Sequence, residues 1–226
     1  MLLERLIKDN PQFHLHEGVS TSWAIHPDTL RFLYSMLTPS MSTLETGCGH
    51  TTVIFSIVNT KHICITPDLG EAERVQQYCA KLGLTENITF IIESSDKILP
   101  QNGLIQSELD LIFIDGAHRF PIPIIDWYYT AFKLKPGGIV CVDDFKIPSV
   151  KILYDFLSIE EEWELIKIMN NTAFFKKLQE PKNVNDWTGQ KINLPYCYDI
   201  NKRNKESIIN KLKLSHLIKR LKKLKG

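Results

Sequence analysis

Four side chains in the middle of the chain have the types and spacing to move a proton or hold a cation. Asp115 closes the apolar run "LDLIFID", Gly116 follows it, and His118 comes three residues later. Asp143 and Asp144 close a second apolar run, "IVCVDD". A carboxylate at the C-terminal end of an apolar strand has little structural reason, and in open α/β sheets ligands bind outside that edge. If the two strands are neighbours, three like charges converge and raise one another's pKa unless a cation sits among them. Oxygen-only ligand sets suit Mg2+ or another hard divalent ion. An imidazole beside them, with its pKa near about 6.5, has the chemistry of a general base. The plainer readings are a helix cap for Asp144 and a surface side chain for His118.

A second constellation lies earlier, in "LETGCGHTT" at 44–52. Gly47 and Gly49 follow a strand-like run and precede a helix-like one. Without Cβ atoms they let a ligand approach the backbone, and the first N–H groups of a helix are free to meet it. The phosphate-loop pattern G-x-x-x-x-G-K-[S/T] is absent, and the dinucleotide pattern G-x-G-x-x-G fails at Thr52. Glu45, two residues before the first glycine, would repel a pyrophosphate and attract an ammonium or sulfonium. S-adenosylmethionine fits that pattern. The alternative is a strand–turn–helix joint that binds nothing.

Alternating elements must position these residues. Strand-like runs fall at 42–46, 62–66, 88–92, 109–115 and 139–144, and helix-like ones at 51–58, 70–83, 123–134 and 149–158, with a short helix or turn at 95–99. Such alternation argues for βαβ units and a parallel sheet, and the apolar runs at 109–115 and 139–142 suit strands covered on both faces. "WELIKIM" and "TAFFKKL", joined by Asn170-Asn171, read as a terminal β-hairpin. Leu30, Leu33, Tyr34 and Leu37 have helix spacing in a run started by Pro27 and Asp28.

"LETGCGHTT" resembles the E/D-x-G-x-G-x-G motif of class I S-adenosylmethionine-dependent methyltransferases, with Thr51 in place of the third glycine. The βα units and the hairpin are similar to the same family over residues 40–179, most of all to small-molecule O-methyltransferases with "IDGAH" and "GG…DD" strand ends. The resemblance implies a doubly wound, Rossmann-like α/β sheet of seven strands in the order 3-2-1-4-5-7-6, with strand 7 antiparallel. It implies that Glu45, Gly47, Cys48, Gly49 and Thr51 hold the methionine end, Asp68 the ribose, Ser95 and Asp96 the adenine, and that Asp115 also lies against the cofactor. For Asp68, and for Ser95 and Asp96, helix N-capping is the competing role. In metal-dependent relatives the counterparts of Asp115, Asp143 and Asp144 hold a divalent cation, and the counterpart of His118 is the base. The implied reaction is methyl transfer to a hydroxyl of a small molecule, with Asp115 and His118 catalytic.

The chain divides on this reading into an N-terminal helical segment or lid (1–40), a cofactor-binding domain (41–180), a connecting segment (181–201) and a basic amphipathic helix (202–226). From Lys202 onward ten Lys and Arg stand against one acid, Glu206, which leaves 17 basic and 25 acidic residues before them. Leu214, Leu217, Ile218, Leu221 and Leu224 form one stripe of that tail, which suits a membrane surface, a contact between copies or docking on an acidic body. No aromatic residue interleaves its lysines, so specific nucleic-acid binding is not expected. Phe120, Trp127, Tyr128 and Tyr129 could wall a substrate pocket beside Arg119, but at helical spacing Trp127 and Tyr128 read first as core. His14 and His16 make a weak metal pair in the N-terminal segment. Five scattered cysteines suggest neither zinc nor a disulfide framework. No apolar run approaches about 20 residues, and "MLLERLIKDN" does not read as a secretory signal, so a cytoplasmic setting is expected. Three rivals remain. A nicotinamide dehydrogenase needs a full glycine triplet and a parallel sixth strand. A non-catalytic cofactor-fold module would use the tail for partners. A methyltransferase acting on a sugar or lipid-linked substrate at a membrane would also suit the tail.

Overall fold

The computed structural model describes residues 1–16, 19–21, 24–84, 87–101, 103–105, 107–181, 187–196 and 200. The chain forms two compact units, Met1–Glu180 and Pro181–Gly226. Of the second, two short 3-10 turns are described, Trp187–Gly189 and Lys191–Asn193. The basic tail from Lys202, and Cys197, lie outside the described residues.

The first unit opens with α1 (Leu2–Asp9), a small hairpin of β1 (His14–His16) and β2 (Val19–Thr21), and α2 (Pro27–Met36). Strands and helices then alternate: β3 (Ser42–Thr46), α3 (His50–Val58), β4 (Lys61–Thr66), α4 (Leu69–Lys81), β5 (Ile88–Ile92), α5 (Ser95–Ile98), β6 (Leu109–Ile114), α6 (Ile122–Ala131), β7 (Leu134–Val142) and α7 (Pro148–Ile159). The hairpin of β8 (Trp163–Met169) and β9 (Thr172–Lys177) closes the unit. The seven-stranded sheet runs β5-β4-β3-β6-β7-β9-β8. Strands β3 to β7 pair in parallel, and β9 pairs antiparallel with both β7 and β8. Counted from β3, this is the 3-2-1-4-5-7-6 order that the resemblance implies. The winding reverses beside β3, so the C-terminal ends of β3 and β6 flank the crevice where such sheets take ligands.

Side-chain alternation along the strands builds one core on each face of the sheet. Phe113, Cys141 and Phe174 point to the face covered by α1–α4, with Leu6, Leu33, Val53, Phe55 and Val75. Ile112, Val140, Val142 and Phe175 point to the other, with Leu153 and Leu157 of α7. Helix α6 ends at Ala131, not 134, because Leu134 is fully buried and already starts β7, opposite Leu109. Trp127 packs on Phe156 and Trp163, as its core reading requires. Tyr128 does not: it is 51% exposed and meets Tyr129 and Phe132 on the outer face of α6. Phe120 is exposed as well. Cys48, Cys64, Cys79 and Cys141 are buried free thiols.

A buried lysine ties the end of the sheet to the helix layer. Lys177 donates from Nζ to the carbonyls of Ala131 at 2.9 Å and Leu134 at 2.7 Å, and pairs with Glu180 at 2.7 Å. The carbonyls it satisfies lie at the turn from α6 into β7, so the ammonium locks that turn against β9. Lys177→Met keeps the apolar stem and removes the donor. It is expected to lower unfolding free energy by about 1–3 kcal/mol in a urea titration, the cost of stranding buried acceptors.

Candidate active site

A cavity of about 1130 Å³ opens along the C-terminal edge of the sheet. Its floor is Thr46, Gly47 and Cys48 after β3, Thr66 at the end of β4, Ser94 and Ser95 beyond β5, Asp115–His118 beyond β6, and Asp143 and Asp144 beyond β7. The N-terminal segment supplies one wall, with Ile7, His14, Ile25 and Leu30, and the β8–β9 turn supplies another, with Asn170 and Asn171. Phe120, Trp127, Tyr128 and Tyr129 do not line it.

The glycine turn is as close-fitting as a cofactor cradle must be. Gly47 has φ +95°, and a Cβ there would stand 2.2 Å from the carbonyl oxygen of Asp115, so only glycine lets the β3 turn pass under the β6 end. Glu45 departs from the sequence expectation. Its carboxylate is fully buried below the turn and does not line the cavity. One oxygen accepts from Thr51 Oγ1 at 2.7 Å; the other meets Thr52 Oγ1 in a short contact and His62 Nε2 at 3.1 Å. The reason is alternation: Glu45 shares a face of β3 with Thr43, which bonds His62 Nδ1 at 2.8 Å, and that face lies under α3. Thr51, at the missing third glycine, turns inward to Glu45 and is also absent from the cavity wall. Gly49 donates its N–H to Thr52 Oγ1 at 2.9 Å and is covered by His14, whose Nε2 would be 3.3 Å from a Cβ.

Beyond β4, Asp68 caps α4 by accepting from the N–H of Glu71 at 3.1 Å and does not reach the cavity. The acid that does is Glu71, one turn on. It pairs with His14 Nδ1 at 2.9 Å, so the N-terminal hairpin is latched across the mouth. His50 packs edge-on against Phe13, and burial, with the charge of His14, holds it near 4, neutral at physiological pH. Of the pair expected at the adenine, Ser95 lines the cavity, whereas Asp96 turns back to accept from Ser94 Oγ. Behind Ser95 stands a residue that sequence reasoning missed, Asp126 of α6, fully buried. Its sequence signal is an acid inside the apolar stripe of "PIIDWYYTA".

Asp115, His118, Asp143 and Asp144 do converge. His118 Nε2 lies 3.6 Å from Asp115 Oδ1 and 3.8 Å from Asp144 Oδ2, facing a carboxylate on each side. Ser149 Oγ donates to the His118 carbonyl and fixes the loop. Asp144 does not cap α7; with φ +49° it sits in the left-handed region, a strained placement that turns its carboxylate toward His118. Burial pushes Asp115 up to about 7, and the imidazole of His118 opposes this while Asp143 and Asp144 add to it. Asp115 in turn raises His118 above its usual value. Asp143, also raised by burial, takes the hydroxyl of Thr172, and the amide of Asn171 reaches Asp144 Oδ1 at 3.4 Å.

These three carboxylates do not fit the divalent cation read from the sequence. Asp143 is turned to Thr172, while Asp115 and Asp144 face the imidazole, and among the described residues no group of three His, Cys, Asp or Glu side chains is arranged to hold a metal. His14 is committed to Glu71, and the His16 side chain lies outside the described residues. No described helix is long and apolar enough to cross a membrane.

A methyltransferase-domain family model matches residues 44–145, the span from the glycine turn to the paired aspartates. Among solved structures, the chain is similar to cofactor-bound Rv0187 from MTB, with a TM-score of 0.65 and 13% identity over 79% of this chain and 90% of that one. It is similar to the O-methyltransferase TomG from Streptomyces achromogenes, involved in tomaymycin synthesis and solved with SAM, with a TM-score of 0.61 and 16% identity over 78% and 90%. A rRNA methylase from Streptococcus thermophilus matches with a TM-score of 0.54 and 13% identity over 67% and 95%. At such identities the likeness concerns the fold, and the acceptors of these proteins differ. No curated protein matches the sequence.

The buried position of Glu45 gives a direct test of its role. Glu45→Ala strands His62 and two hydroxyls in the core. It is expected to lower unfolding free energy by about 3 kcal/mol or more, read by urea denaturation without any ligand.

Proposed function

We propose that this chain, which carries a class I S-adenosylmethionine-dependent methyltransferase domain, transfers a methyl group from S-adenosylmethionine to a hydroxyl of a small molecule. The observation that carries the reading is the opening of Asp115, His118 and Asp144 into the same cavity as the Gly47–Cys48 turn and Ser95. Bound there, S-adenosylmethionine supplies an electrophilic methyl on a sulfonium. The turn at Gly47 and Cys48 would take the methionine end, Glu71 the ribose hydroxyls in place of Asp68, and Ser95 the adenine. Asp115 lies between this half of the cavity and the acceptor half.

The acceptor half is polar. Asp144, Lys146, Asn171 and Thr172 line it, and Lys146 Nζ is held on Asn171 Oδ1 at 2.8 Å. His118 is placed to take the hydroxyl proton, since general-base help from a positioned imidazole contributes about 10²–10⁴-fold. Asp115 and Asp144 steady the imidazolium that results. The His14–Glu71 latch and the wall from α1 and α2 would keep water from the reacting centre, which is the lid role expected of the N-terminal segment.

Calorimetric titration with S-adenosylmethionine and S-adenosylhomocysteine is the first test: binding at or below about 100 µM is expected, and no binding of either would end this reading. His118→Gln is expected to lower kcat by about 10²–10⁴-fold with cofactor affinity retained. The neutral imidazole is the active form, and Asp115 raises its pKa. The rate should therefore climb with pH through a midpoint above about 6.5, and Asp115→Asn should move that limb to lower pH. Because the carboxylates do not form a chelating set, activity in excess chelator is expected to match that without it; loss restored by Mg2+ would reinstate the metal.

A further inference from the structure

Directly behind the cavity floor, at the meeting of the β3 and β6 ends with α5, lies a group of polar atoms that satisfy nothing. Asp126 is 0% exposed, and among the described residues neither carboxylate oxygen has a hydrogen-bond partner. Thr46 Oγ1, also buried, has none. The two belong to one cluster: a Cβ on Gly116 would lie 3.2 Å from Thr46 Oγ1 and 3.3 Å from Asp126 Oδ2. Thr46, Gly116 and Ser95 all line the cavity. A buried carboxyl group without a donor is costly, and a fold keeps one where a ligand-bound state uses it.

We propose that Asp126 is a positioning residue for cofactor recognition: as a carboxylate it draws the hydroxyl protons of Ser95 and Thr46 inward, so that both oxygens present lone pairs to the cavity and select a purine with an exocyclic amine over one with a carbonyl there. The inference rests on the assignment of Ser95 to the adenine of S-adenosylmethionine. A hydroxyl has one proton and two lone pairs, so its neighbour on one side dictates what it offers on the other. Ser95 and Thr46 are the hydroxyls beside Asp126, and both favour its ionised form. A protonated Asp126 would become a donor itself, and the hydroxyls could then turn their protons to the cavity.

The charged surroundings leave the switch to Asp126. Burial drives it up to about 6, with the charge of Asp96 on α5 adding to the rise. Lys97 of α5 is exposed and paired with Glu93, and Lys151 and Asp155 of α7 pair with each other on the surface. Asp110 of β6 and Lys135 of β7 pair at the opposite end of the sheet, and Asp115 and Asp143, at the ends of those strands, engage His118 and Thr172.

The test is the ratio of affinities for S-adenosylhomocysteine and its 6-oxo counterpart, S-inosylhomocysteine, measured by calorimetry between about pH 5 and pH 7.5 on the full chain. Groups that affect both ligands alike, such as Asp115 and His118, cancel in the ratio. The wild type is expected to prefer the adenine ligand by about 10- to 100-fold at pH 7.5, the cost of leaving acceptors unpaired, with the preference falling as pH drops through about 6. Asp126→Asn, whose amide donates, should lose most of the preference and all of its pH dependence. Ser95→Ala keeps the buried carboxyl and should also lose most of the preference, which keeps the test open if Asp126→Asn does not fold. A ratio that stays flat with pH in the wild type, or is unchanged in Ser95→Ala, would overturn the proposal. Binding of neither ligand by the wild type would instead refute the methyltransferase reading beneath it.

Discussion

The carboxylate of Glu45 holds the turn on which the rest of the site is hung. Its oxygens gather the hydroxyls of Thr51 and Thr52 and the imidazole of His62 in a space closed to solvent. Thr52 also accepts from the Gly49 N–H, so the charge reaches the glycine turn through one hydroxyl and fixes the start of α3. Gly47 is then carried against the Asp115 carbonyl at a separation no side chain permits, while its own N–H bonds Ile65 O at 2.9 Å. A buried charge this well surrounded is costly to form but gives one arrangement of the turn and few competitors, because removing any partner exposes the others' desolvation.

From that fixed point the sheet topology does the remaining placement. The reversal of winding beside β3 leaves a crevice between β3 and β6, and the parallel strands deliver their C-terminal ends, with Thr46, Asp115 and Asp143, to one edge. The antiparallel β9 then starts from the same edge, so the β8–β9 turn brings Asn171 and Thr172 onto the paired aspartates. Only a strand entering in this direction, from a hairpin turn at the cavity mouth, can do so. A parallel strand there would present its far end.

Much of this was legible in the sequence because period and punctuation carry it. Apolar runs broken by Gly, Pro and Asn located the strands, and two acids at strand ends located the edge of the cavity. What the sequence could not convey is the direction of each side chain. Glu45 read as a ligand group because it stands two residues before a glycine, yet strand alternation turns it under α3. Asp68 read as the ribose acid by distance along the chain, yet it is the helix cap, and Glu71 one turn later reaches the cavity. The three aspartates read as a metal set by charge, yet His118, Thr172 and Asn171, brought from three separate segments, engage them. Tyr128 read as core by spacing, but its side of α6 meets no second layer.

The acidic edge places opposing demands on His118. Each nearby carboxylate steadies a proton on the imidazole, which favours abstraction from an acceptor hydroxyl but also fills the base before the substrate arrives. The geometry moderates this. Asp115 and Asp144 stand at 3.6 and 3.8 Å from the same nitrogen, outside direct hydrogen bonding, so each contributes charge without a committed bond. Asp115 is itself pushed up to about 7 by burial, and a proton resting on Asp115 leaves His118 less held. The two groups therefore titrate as a pair, with one proton between them near neutrality. Such a pair can receive a hydroxyl proton while keeping the net charge of the edge low, and it does so with the side chains of one short loop between β6 and α6.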